Sequence, residues 1–150
     1  MRAGISIMSL CLVIPTKKPY TYPVSTHGSI TWHDLTVPNA PEVRDFYSAV
    51  VGWTPEGLDM GEYEDYVMKS PSGDGVSGIC HARGVNAGIP PQWLLYITVA
   101  NLADALEKVV ANGGEVVHQS GGGSMAIIKD PAGAVCALYA EETNSEVEAA

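Results

Sequence analysis

The sequence predicts an α+β fold built from two βαβββ modules, and three observations predict it. First, "LTVPNAPEVRDFYSAVVGW" (Leu35 to Trp53) lines up with "ITVANLADALEKVVANGGE" (Ile97 to Glu115) at a constant offset of 62, matching Val37 to Val99, Asn39 to Asn101 and Gly52 to Gly114. Second, "SPSG" (Ser70 to Gly73) lines up with "DPAG" (Asp130 to Gly133) at an offset of 60. Third, apolar residues recur at helical spacing between each asparagine and the glycine that follows it. Matches in the same order at nearly the same spacing mark an internal duplication.

Each element follows from its residues. A short apolar strand closes at Val37 and, in the second copy, at Val99. Asn39 and Asn101 then stand as helix caps, with Glu42 and Asp104 three residues later as acidic first-turn partners. Val43, Phe46, Tyr47 and Val50 form one apolar stripe; Leu102, Ala105, Leu106, Val109 and Val110 form the other. Gly52 and Gly113-Gly114 stop the helices. The strands after the helices include "YEDYVMKS" and "VSGICHA" in the first copy and "EVVHQ", "SMAIIK" and "AVCALYA" in the second. Pro-x-Gly between two strands signals a tight turn. The modules run over about 29–86 and 91–141, joined by "GVNAGIPPQ" (Gly84 to Gln92).

The 150 residues suit one domain at 29–141, flanked by an N-terminal extension, 1–28, and an acidic tail, 142–150. Eight basic residues against 17 acidic ones give a net charge of −9, and no basic stripe is present to meet phosphates, which excludes nucleic acid as the expected partner. "ISIMSLCLVI" (Ile5 to Ile14) is too short to span a membrane, and no small-residue cleavage site follows it. A cytoplasmic protein is expected, with an exported one as the alternative. Cys11, Cys80 and Cys136 are odd in number, far apart and without a CxxC, which argues against a disulfide framework or zinc knuckle; Cys80 and Cys136, in apolar strands, read as inert thiols. "SGGGS" (Ser120 to Ser124) opens no helix and carries no lysine, so it reads as a hairpin loop rather than a phosphate cradle.

The paired units, "RDFYSAVVGW" in the first helix and "IIKDPAGAVCALY" near the end resemble the vicinal oxygen chelate superfamily, which includes glyoxalase I, bleomycin-resistance proteins and extradiol dioxygenases. The resemblance covers about Ser29 to Glu141. It implies a curved mixed sheet around a shared cavity, with metal ligands, usually His or Gln and Glu, at four inward strand positions. Counting from the closing valine places the first of them at Trp32, with Leu94 as its repeat partner. Counting six residues from each turn proline places the other pair at Ser77 and Ala137. Tryptophan, leucine and alanine offer no lone pair for a metal, and a neutral serine hydroxyl is a weak donor. A divalent ion needs several convergent N or O donors. The expectation is therefore no metal and no cofactor.

Strand parity fills in the rest. With Trp32 inward, Asp34 is inward and His33 faces the helices, as a hydrogen-bonded histidine rather than a member of a His-Asp pair. With Ser77 inward, Ile79 and His81 follow. With Leu94 and Ala137 inward, so are Tyr96, Thr98 and Tyr139, joined by Met125 and Ile127. The expected ligand-binding set is thus Trp32, Asp34, Ser77, Ile79, His81, Leu94, Tyr96, Met125 and Tyr139, mostly apolar with sparse polar points. No catalytic residue stands out.

Three functions fit these residues. The first is a metal-free cavity that binds an apolar or aromatic small molecule, by sequestration or by acid–base chemistry. The second is a metal-dependent lyase, isomerase or dioxygenase with rearranged ligands such as Asp34, His81 or Glu141. The third is a non-catalytic scaffold with a closed cavity. The expected partner is a small molecule, with no membrane contact, and a homodimer is left open.

Overall fold

A computed structural model describes residues 27–119 and 123–140. Residues 1–26 of the N-terminal extension, most of the "SGGGS" loop, Glu141 and the acidic tail lie outside the described residues. The described chain divides into two compact units, residues 32–94 and residues 27–31 with 95–140.

Unit 1 carries β1 (Ile30–Val37, its first two residues excepted), α1 (Ala40–Val51), β2 (Thr54–Asp59), β3 (Glu64–Lys69) and β4 (Gly75–His81). Its strands lie in the order β2-β3-β4-β1, with β1 parallel to β4 and the other pairs antiparallel. A short 3₁₀ turn, Gly84–Asn86, lies in the stretch read as a linker. Unit 2 carries β5 (Trp93–Thr98, from Leu95 onward), α2 (Leu102–Ala111), β6 (Glu115–Gln119), β7 (Met125–Lys129) and β8 (Val135–Tyr139). Its order is β5-β8-β7-β6, with β5 parallel to β8. Each unit therefore places its first strand beside its fourth, and the α+β duplication read from the sequence is present. Gly28 and Ser29 exchange backbone hydrogen bonds with Thr98, which ties residues 27–31 to unit 2.

Each helix covers one face of its own sheet. In unit 1 Leu35, Val37, Ala40, Tyr66, Met68 and Ile79 form the core, with Val43, Tyr47 and Trp53 packed on it. In unit 2 Leu102, Ala126, Ile128 and Leu138 do so, with Ile97, Val99, Ala105, Leu106 and Val109 against them. The helical stripes are narrower than expected: Phe46, Val50 and Val110 are exposed. Only one of the two asparagines caps its helix. Asn101 accepts from the Asp104 N–H at 2.9 Å. Asn39 makes no cap bond and instead donates from its side chain to Glu42 Oε2 at 2.8 Å. Pro41 removes one of the two N–H groups that such a cap uses. Gly52 ends α1 at φ 74°, the left-handed conformation that favours glycine.

Cys136 is a free thiol, and burial, helped by Asp130, pushes its pKa up from 9.0. Cys80 is disulfide-bonded, which corrects the inert-thiol reading for that residue. Among the described residues no helix is long and apolar enough to cross a membrane.

Candidate functional site

The two faces of the unit 1 sheet differ in chemistry. Leu35 and Val37 turn toward α1, so Trp32, Asp34 and Thr36 lie on the helix-free face. All three are buried. Trp32 donates its indole N–H to Asp34 Oδ1 at 2.6 Å. The parity read from Val37 holds for this strand.

It does not hold for β4. Asp34 pairs with Gly78 and Leu35 with Ile79, so Ile79 belongs with the helix-packed core and not with Trp32. Ser77 and His81 share its parity, and the expected grouping of Ser77, Ile79 and His81 with Trp32 and Asp34 is corrected. The reason is a β-bulge. Lys69 pairs with Gly75 but Met68 pairs with Ser77, leaving Val76 as an extra residue. One inserted residue flips every side chain beyond it to the other face. In unit 2 the pairing of β7 with β8 runs unbroken from Lys129/Val135 to Met125/Tyr139. The true counterpart of Ala137, which pairs with Tyr96, is therefore Gly78, which pairs with Asp34.

His81 instead meets a partner that sequence reasoning missed. Asp65 Oδ1 accepts from the His81 backbone N–H at 2.8 Å and lies 3.1 Å from its ring Nδ1. The Tyr63 ring stands edge-on to the imidazole, centroids 5.3 Å apart, and the Arg83 guanidinium sits 4.4 Å from the Tyr63 centroid. A buried carboxylate that orients an imidazole is the geometry from which a proton-transfer group is made. The signal was an aspartate inside an apolar strand, but its partner is 16 residues away.

In unit 2 the expected face is assembled. Tyr96 pairs with Ala137, Thr98 with Tyr139, Met125 with Tyr139 and Ile127 with Ala137. These residues alternate with Ile97, Leu138, Ala126 and Ile128, which pack under α2. Tyr96, Thr98, Met125, Ile127 and Ala137 are all buried. Leu94, two residues before Tyr96 on β5, is also buried.

His33 is not covered by a helix. It is exposed at the rim of a cleft of about 410 Å³ in unit 1, lined also by Trp53, Val76, Ser77 and Trp93.

The Glyoxalase/Bleomycin resistance protein/Dioxygenase superfamily matches residues 29–138. The chain belongs to that superfamily. Among its glyoxalase-superfamily relatives is CFP32 of Mycobacterium bovis (strain ATCC BAA-935 / AF2122/97), provisionally named a glyoxylase, 30% identical over 118 residues that cover 75% of this chain and 45% of that protein. The anthracycline biosynthesis protein DnrV of Streptomyces peucetius is 30% identical over 129 residues, covering 75% of this chain and 46% of that one. The chain thus spans about half the length of these relatives. Among solved structures, one titled as an NAD-dependent benzaldehyde dehydrogenase of Legionella pneumophila superposes with a TM-score of 0.52 at 11% identity, over 73% of this chain and 96% of that one. It shares the fold.

The superfamily's divalent ion can be tested against the residues at its four positions. Trp32 is a hydrogen-bond donor already committed to Asp34. Leu94 and Ala137 have no donor atom, and Gly78, which replaces Ser77 at the fourth position, has no side chain. Asp34 is the nearest carboxyl along β1, and one carboxyl is short of the three or so protein ligands that such an ion needs. Among the described residues no three His, Cys, Asp or Glu side chains gather in a way that could hold a metal. The donor set does not fit the ion.

Proposed function

We propose that this glyoxalase-superfamily chain binds an apolar or aromatic small molecule against the helix-free sheet face of one of its units without a divalent ion, and holds it or transfers protons to it through side chains alone. The observation that carries the reading is the composition of each unit's own face: Trp32 and Gly78 with the carboxyl of Asp34 in unit 1, and Met125, Ile127 and Ala137 with the hydroxyls of Tyr96 and Tyr139 in unit 2. Apolar walls with few, placed polar groups are the usual make-up of a small-molecule site. One relative's name, that of an anthracycline biosynthesis protein, is compatible with small-molecule chemistry.

Asp34 is the expected proton acceptor and orienting group, because it is buried on that face and the Trp32 indole fixes one of its oxygens. A thermal-shift screen of planar aromatic compounds tests the proposal. Hits on the unit 1 face should lose their stabilising effect in the Asp34→Asn protein, and hits on the unit 2 face in the Tyr96→Phe protein. Hits that stabilise both variants as well as the parent would remove these residues from the site.

A further inference from the structure

We infer that the cleft on the helix side of unit 1 is a second small-molecule site, which takes a planar aromatic compound bearing a hydroxyl at one edge. It is distinct from the site proposed above, because His33 and Ser77 have the opposite parity to Trp32 and Asp34 on the same sheet.

The walls are aromatic and fixed in advance. The Trp53 and Trp93 rings lie 6.1 Å apart at 86°, which makes a corner that offers a ring face and a ring edge together. Trp93 is held by its indole N–H, which donates to the Tyr47 hydroxyl at 3.1 Å. Trp53 is held by stacking on Tyr47 at 5.6 Å and 25°. Neither ring must be ordered by a ligand, which lowers the entropic cost of binding.

The floor carries an unmet polar group. Ser77 is 1% exposed, and its Oγ has no hydrogen-bond partner. A buried hydroxyl without a partner costs stability, and a ligand hydroxyl would supply the missing bond. The bulge explains why it is there: Val76 is the extra residue of β4, and both it and the next residue line the cleft. Bulges commonly re-aim side chains beside binding sites. The volume of about 410 Å³ falls within the range of ligand sites.

The test uses the full chain labelled with nitrogen-15, with 2-naphthol and naphthalene as probes. The three tryptophans give three indole N–H signals, one from the Trp32 face and two from the cleft. Saturable shifts of the Trp53 and Trp93 signals are expected for both probes, whether or not the Trp32 signal also moves. Ser77→Ala should weaken 2-naphthol roughly tenfold, the size of one lost hydrogen bond, and leave naphthalene unchanged. Asp34→Asn should leave the Trp53 and Trp93 shifts of both probes as they are, since it lies on the opposite face of the sheet. Trp93→Ala should abolish both; if that variant does not fold, Ser77→Ala decides alone. No saturable shift, shifts confined to Trp32, or equal effects of Ser77→Ala on the two probes would overturn the inference.

Discussion

Trp32 and Asp34 sit two residues apart on one strand, on one buried face, joined by an indole-to-carboxyl hydrogen bond of 2.6 Å. The resemblance to the superfamily implies a metal ligand at the tryptophan's position, and here its polar hydrogen is spent on the neighbouring carboxyl. The bond makes a donor–acceptor pair out of two residues that the sequence could only place side by side.

Removing the acceptor should therefore expose the pair's cost. Asp34→Ala leaves the Trp32 N–H buried and unpaired and should lower stability by about 1–3 kcal/mol. Asp34→Asn, whose amide oxygen still accepts, should recover most of that loss. Urea unfolding of the two variants makes the comparison, and an alanine variant as stable as the parent would show that the bond contributes nothing.

Asp65 and His81 should be coupled. The carboxyl accepts from the His81 backbone N–H and lies 3.1 Å from its ring Nδ1. A double-mutant cycle of Asp65→Asn with His81→Gln should give an interaction energy of about 0.5–3 kcal/mol, as for contacting residues. Strict additivity would remove the dyad as a unit.

Gly114 is fixed by space. A Cβ there would lie 2.7 Å from the Lys129 carbonyl oxygen and 2.8 Å from Val109 Cγ1. Gly114→Ala should cost about 1–3 kcal/mol through overpacking. Gly52→Ala meets no neighbour but must hold φ 74°, and should cost about 1–2 kcal/mol. Thermal melts of both proteins check the two causes separately.

Cys136 predicts an alkaline loss of stability. Burial raises its folded-state pKa above the unfolded value. Between those values the unfolded chain has released a proton that the folded chain keeps, so stability falls as pH rises. The contribution is complete below the ordinary thiol value of 9.0 and is lost as pH rises above it. Cys136→Ala should flatten the stability profile in that alkaline window, and an unchanged slope would assign it to other groups.

The duplication, the order of elements and the unit 2 face were legible because they follow from periodicity and from an unbroken strand register. Tyr96, Met125, Ala137 and Tyr139 fell where alternation puts them. Ser77, Ile79 and His81 did not, because one bulged residue, Val76, carries no sequence mark yet inverts the parity of the strand beyond it. Asp65–His81 was invisible for a related reason: its geometry depends on how β3 registers against β4. The failed cap at Asn39 was readable, since Pro41 stood in the sequence. Phe46, Val50 and Val110 satisfied the helical spacing yet lie outside the arc that the sheet covers.

A superfamily member that binds its ligand without a divalent ion should carry no stoichiometric metal, and metal content measures this. Protein purified without chelator would be analysed for bound metal, and its melting temperature followed on addition of Mn²⁺, Fe²⁺, Ni²⁺ and Zn²⁺. Well under one equivalent of any metal is expected, with no ion-dependent rise in melting temperature. Close to one equivalent, lost in an Asp34→Ala or His81→Ala protein, would contradict it and make the chain a metalloenzyme with rearranged ligands.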